Sequence, residues 1–105
     1  MLDIENIKHL CKMSALRWTD HIVKRLLKRN ISTADVECAI MNSEIIELYP
    51  DDYPYPSCLI LGLTADDRYL HIVCGVSPTE LYLVTAYHPN PDEWSEDFKI
   101  RKEQT

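Results

Sequence analysis

Residues 57–88 read SCLILGLTADDRYLHIVCGVSPTELYLVTAYH, and this stretch decides the fold class. It contains three runs rich in apolar, β-branched and aromatic residues, at 57–64, 68–76 and 80–88, which short turn sequences separate. A fourth run of this kind precedes them at 44–49. Because strands joined by short loops usually pair with their neighbours in the chain, the pattern predicts a four-stranded antiparallel β-meander.

Apolar side chains recur every three or four residues in the first part of the chain, as in helices that bury one side. This period predicts helices at 3–14, 19–30 and 33–42, and a short C-terminal helix at 92–102 that two aromatic residues anchor. We therefore expect residues 1–105 to form a single α+β domain, with the N-terminal helices packed on one face of the antiparallel sheet.

The chain is 105 residues long, which is enough for one hydrophobic core. Its apolar runs are far shorter than the ~20 residues of a membrane helix, and its acidic start lacks the regions of a secretion signal. We therefore expect a cytoplasmic protein with no membrane partner. Few glycines and widely spaced cysteines argue against a phosphate loop and a metal site, so we expect no cofactor and no metal. The cysteines are Cys11, Cys38, Cys58 and Cys74.

The formal net charge of −6 is unevenly distributed along the chain. Residues 1–43 carry +2 and residues 44–105 carry −8, and the positive excess is concentrated at 17–29, where five basic residues accompany one acid. Nucleic acids favour basic surfaces because their phosphates are negative. The distribution limits a nucleic-acid partner to the 17–29 segment, while the acidic part of the chain could bind a basic protein.

Three polar residues of the predicted 19–30 helix, His21, Arg25 and Arg29, are spaced by four and lie in one row, which we call the basic ridge. Lys28 lies beside it. A histidine next to guanidinium groups suits phosphodiester chemistry, because it carries a proton beside charge that stabilises a phosphorane. The same spacing is also typical of a solvated basic face. The helix is predicted to bury an apolar stripe of Ile22, Val23, Leu26 and Leu27.

Two predicted strands carry polar residues that could act with the basic ridge. His71 interrupts an apolar run in the 68–76 strand, and Thr85 and Tyr87 share one face of the 80–88 strand, since strand side chains alternate. The loop length leaves open whether His71 lies opposite Tyr87. A histidine at such a position is also typical of a hydrogen-bonded core residue, and tyrosines, which could stack on bases, are ordinary strand residues.

A combination of spaced residues extends over residues 17–96. It comprises Thr19, His21, Arg25, Arg29, Ile31, Ser32, Asp35, Val36, Glu44, Ile45, Ile46, Tyr49, His71, Ile72, Val73, Thr85, Ala86, Tyr87, Pro89 and Trp94. This combination resembles a family of small bacterial proteins of unknown function placed near the RelE/ParE toxin superfamily. Ser43 and Asp67 depart from it, since the family usually has glycine at these two turns.

The resemblance implies a RelE-like fold and a similarity to toxins that cleave mRNA without a metal. It also implies a partner, because such proteins are often encoded beside a small antitoxin, sometimes one with an MqsA-like zinc-binding module. The candidate catalytic residues are then His21, Arg25, His71 and Tyr87. The candidate RNA-binding residues are Lys28, Arg29 and Thr85.

The sequence thus predicts a metal-independent endoribonuclease toxin that acts on single-stranded RNA or mRNA. Two alternatives stay open: a non-enzymatic protein-interaction module of the same fold, and a toxin that binds a protein target such as gyrase. Convergence of the candidate catalytic residues on one open groove would favour the enzyme. A sealed His71 with the basic ridge facing solvent would favour the interaction module.

Overall fold

The computed structural model describes residues 2–103, which form three helices and five strands. In chain order these are α1 (Ile4–Lys12), β1 (Leu16–Trp18), α2 (Asp20–Lys28), α3 (Thr33–Met41), β2 (Ser43–Tyr49), β3 (Ser57–Leu63), β4 (Tyr69–Val76) and β5 (Leu81–Tyr87). Asp3, Thr19 and Ser32 cap the three helices by accepting hydrogen bonds from backbone N–H groups of the first turn. Within this part of the chain, no helix is long and apolar enough to span a membrane.

The expected fold class is wrong in its sheet. The four predicted strands are present and antiparallel, but β1 pairs with β5 in parallel, so the sheet is mixed and five-stranded, with the order β1-β5-β4-β3-β2. Three residues are too few to produce a recognisable alternation. Backbone pairing to β5 defines this strand, beginning with the bond from the Leu81 N–H to the Ala15 carbonyl at 2.8 Å.

The C-terminal helix is also wrong, because residues 92–102, which we call the C-terminal segment, form turns instead. Trp94 and Phe98 have helical spacing, but Phe98 has a φ of 61° in the left-handed region, which a right-handed helix cannot contain. The Ser95 N–H donates to the Ile100 carbonyl at 2.8 Å and closes a narrow turn. The aromatic side chains pack on the sheet and not along a helix.

The helices cover one face of the sheet and form the main core with it. Its fully buried side chains include Ile7, Ile22, Val36, Ile40, Ile60, Leu70, Ile72, Leu81 and Leu83. The opposite face, which we call the second face, carries the alternate residues of each strand. The C-terminal segment packs on part of this second face.

Helix α2 is turned about its axis relative to the predicted stripe. Ile22 and Leu26 are buried, whereas Val23 is exposed and Leu27 is 78% exposed. The prediction of a four-residue buried stripe is therefore wrong for the second pair. The buried side of α2 therefore lies closer to Arg29 than the predicted stripe placed it. As a result, the Arg29 end of the basic ridge turns towards the sheet.

Candidate functional site

The register between β4 and β5 brings three of the candidate residues onto the second face. His71 pairs with Tyr87, and Val73 pairs with Thr85. The His71 and Tyr87 rings meet edge to face, with centroids 5.4 Å apart. Burial raises the pKa of Tyr87, so its phenol stays protonated and can donate a hydrogen bond at neutral pH.

His71 itself is sealed from solvent, with an exposed fraction of 0%. The Trp94 ring covers it at a centroid distance of 4.4 Å, and its Nε2 lies 2.8 Å from the Phe98 carbonyl oxygen. Since a carbonyl only accepts, Nε2 carries the proton and donates it. The buried Nδ1 has no hydrogen-bond partner among the described residues. Burial lowers the pKa of His71 and keeps the ring neutral.

Ion pairs hold the C-terminal segment over His71. The Arg101 Nε and Nη2 bond the two carboxylate oxygens of Glu47 on β2 at 2.8 and 3.1 Å, and the guanidinium lies 4.7 Å from the Trp94 ring centroid. Lys99 Nζ lies 2.7 Å from a carboxylate oxygen of Glu44. The hydrogen bonds from Arg101 hold the pKa of Glu47 below its ordinary value. Sequence reasoning missed this cluster, because partners 54 residues apart leave no local pattern.

The buried His71 predicts a loss of stability in mild acid. Its pKa in the folded protein lies below the ordinary 6.5, so the unfolded chain binds a proton that the folded chain excludes. The free energy of unfolding therefore falls as the pH drops below about 6.5. His71→Gln keeps a donor for the Phe98 carbonyl without titrating, and its stability should change less between about pH 7 and about pH 5. Urea unfolding measures both profiles, and parallel profiles would contradict this account of His71.

The C-terminal end of the basic ridge contacts β5 directly. Arg29 Nη1 donates to the Ala86 carbonyl at 2.7 Å and lies 3.4 Å from the Thr85 hydroxyl. Its charge also acts on the phenol of Tyr87. Arg29, Thr85, Tyr87 and the sealed His71 therefore form one contiguous group along β5 and β4.

The N-terminal end of the basic ridge reaches a different part of the second face. His21 lines a cavity of about 420 Å³ together with Gly75 on β4 and Tyr82 on β5. Gly75 and His71 are four residues apart on β4, or about 13 Å, so His21 and His71 do not share one site. His21, Arg25 and Lys28 are exposed, and Arg25 lies on the helix between the two ends of the ridge.

The cavity beside His21 is aromatic, which the sequence did not reveal. The rings of Tyr55 and Tyr82 stack with centroids 5.3 Å apart and planes 20° apart, and Tyr53 is 95% exposed in the same wall. The only local sign of this cavity in the sequence is the pair of tyrosines in the loop at 50–56. Tyrosines also occur in ordinary loops, so they do not predict a site. The stacking of Tyr55 on Tyr82 of β5 brings the loop to the cavity, where Tyr53 and Tyr55 line it.

Among residues 2–103 no group of three or more histidine, cysteine or carboxylate side chains could hold a metal ion. The four cysteines are free thiols, three of them buried and Cys38 half-buried. Cys58 and Cys74 face each other across β3 and β4, with sulfur atoms 3.7 Å apart.

The profile of a family described as "Domain of unknown function (DUF4258)" matches residues 18–88. The match covers more than half of the chain and runs from the end of β1 to just beyond β5. The chain therefore belongs to this family. Searches of the curated proteins and of the solved structures give no match to the chain.

Proposed function

We propose that this member of the DUF4258 family binds single-stranded RNA along α2 and β5 and cleaves it without a metal, as the toxin of a toxin–antitoxin pair. One observation carries the proposal: both ends of the basic ridge reach the same strand. Arg29 bonds the backbone of β5, and His21 lines a cavity with Tyr82 of β5. The basic helix and the aromatic cavity thus form one surface.

The charge of this surface suits an RNA strand. Arg25 and Lys28 are exposed on the ridge side of α2, and the half-buried Arg29 continues the positive charge to Thr85. Phosphates bind such a row through charge, which makes affinity fall as salt rises. An antitoxin that neutralises the protein would have to cover the same row. The toxin role comes from the resemblance of residues 17–96 to a family placed near the RelE/ParE toxin superfamily.

The chemistry assigns a proton carrier and a charge stabiliser. His21 removes the proton of a 2′-hydroxyl while the hydroxyl oxygen bonds to the adjacent phosphorus and the bond from phosphorus to the 5′-oxygen breaks. The 5′-oxygen takes a proton from water, and the resulting hydroxide takes the proton back from His21. The products are a 2′,3′-cyclic phosphate and a 5′-hydroxyl. Arg25 stabilises the negative charge of the phosphorane. Lys28, Arg29, Thr85 and Tyr87 hold the strand beyond the cleaved bond.

We assign His71 a positioning role and not a catalytic one. It is buried under Trp94, so it cannot touch a strand on the surface. It bonds the Phe98 carbonyl through Nε2, and its ring contacts the Tyr87 ring in a T-shaped arrangement. In this role His71 sets the orientation of Tyr87.

A cleavage assay tests the proposal. The purified protein is incubated with single-stranded RNA, and separately with translating ribosomes, in the presence of a chelator. We expect cleavage with cyclic-phosphate ends, since no step uses a metal. Intact RNA in both assays, together with normal growth of cells that express the protein, would overturn the proposal.

A second candidate function is a non-enzymatic protein-interaction module. The sealed His71 favours it, because one expected catalytic residue has no access to substrate. The exposed apolar pair Val23 and Leu27 on α2 also offers a surface for a protein. A stable copurifying partner, with RNA intact and with partner binding unchanged in a His21→Ala, Arg25→Ala double variant, would establish this function instead.

A further inference from the structure

We infer that the cavity beside His21 is a nucleobase-binding site that selects guanine. This inference rests on the proposed function, because the base belongs to the strand whose phosphates lie on the basic ridge. The volume of about 420 Å³ accommodates a nucleoside. Sharing His21 with the ridge makes the cavity the natural position for a base next to the cleaved phosphate.

The aromatic walls supply the affinity. Tyr55 and Tyr82 stack on each other and form a fixed platform, and the ring of Tyr53 stands almost free in solvent on the same loop. A flat base that enters the cavity can stack on these rings, and stacking is available to every base because each has an aromatic face. Stacking alone accepts every base, so it does not explain a preference.

Asp52 supplies the preference. Asp52 lines the cavity, and one of its carboxylate oxygens accepts a hydrogen bond from Ser57. A carboxylate only accepts, and each oxygen accepts more than one hydrogen bond. Guanine alone among the four bases presents two adjacent donors, N1–H and the N2 amino group, on its pairing edge. Adenine and cytosine place an acceptor beside their donor, and uracil offers one donor between two acceptors.

Binding of nucleoside 5′-monophosphates to the full chain, followed by calorimetry, tests the inference. We expect guanosine monophosphate to bind about tenfold more tightly than the adenosine, cytidine and uridine compounds. Asp52→Asn keeps an acceptor for Ser57 but offers the base one acceptor and one donor, so it should remove the preference. Asp51→Asn is the matched control, because it changes the same charge one residue away and Asp51 does not line the cavity.

The outcomes separate the base site from the proposed function. Equal binding of the four compounds, or the same loss in Asp51→Asn, would overturn the base site. A purely electrostatic effect of Asp52 would instead raise the affinity of Asp52→Asn for all four, and this also counts against it. Selective guanosine monophosphate binding with intact RNA would contradict cleavage and leave the base site standing. Cleavage of RNA with no preference among the four compounds would contradict the base site and leave the proposed cleavage standing.

Discussion

His21→Ala should lower the rate of RNA cleavage by about 10²- to 10⁴-fold, because it removes the only proton carrier that we assign to the reaction. RNA affinity should change less than in Arg25→Ala, because the guanidinium groups that contact the phosphates stay in place. Arg25→Ala should also lower the cleavage rate, because it removes the charge that stabilises the phosphorane. In addition it should lower affinity and flatten the dependence of affinity on salt, because it removes one phosphate contact. Single-turnover cleavage and equilibrium binding at several salt concentrations separate the two effects.

His9→Ala is the matched control for His21→Ala. His9 is another exposed histidine, and it lies on α1 and does not line the cavity beside His21. Its removal should leave cleavage and binding unchanged. Equal losses in both variants, or full activity in His21→Ala, would show that His21 is not the proton carrier.

Gly62→Ala should lower the free energy of unfolding by roughly 3 kcal/mol. A Cβ at this position of β3 would lie 2.2 Å from the Ala39 carbonyl oxygen and 2.7 Å from the carbonyl carbon. These are backbone atoms of α3, so the helix would have to move away from the sheet. The glycine therefore sets how closely α3 packs, and chemical denaturation measures the loss.

Gly75→Ala is the control for this change. A Cβ there would meet its nearest atoms at 3.7 and 3.9 Å, which is ordinary contact, and neither glycine has a positive φ. The variant should be neutral or more stable by up to about 1 kcal/mol, since alanine restricts the unfolded chain. A similar loss of stability in both variants would mean that close approach to α3 is not the cause.

The sequence predicted the elements that have their own period and missed those that tertiary contacts create. The helix starts predicted at 3, 19 and 33 from the apolar period agree with the structure to within one residue, and Asp3, Thr19 and Ser32 cap these helices. Strand β1 exists only because β5 pairs with it. The conformation of the C-terminal segment at 92–102 depends on its contacts with the second face, and the helical spacing of its aromatic residues does not reveal those contacts.

The candidate site was predictable to the extent that it lies on one element. Four-residue spacing placed the basic ridge on α2, and strand alternation placed Thr85 and Tyr87 on one face. Neither could show that Trp94 covers His71 and that Arg101 lies over Trp94, because both depend on contacts between distant parts of the chain. The aromatic cavity likewise requires the 50–56 loop to meet β5.

The central claim is that the basic ridge and β5 form the RNA-binding surface. An NMR titration tests it most directly, with isotope-labelled protein and a short single-stranded RNA whose 2′-hydroxyls are methylated so that it cannot be cleaved. We expect the largest shifts at Arg25, Arg29, Tyr82 and Thr85, and none along α1. An unchanged spectrum, or shifts confined to surfaces away from α2 and β5, would contradict the claim.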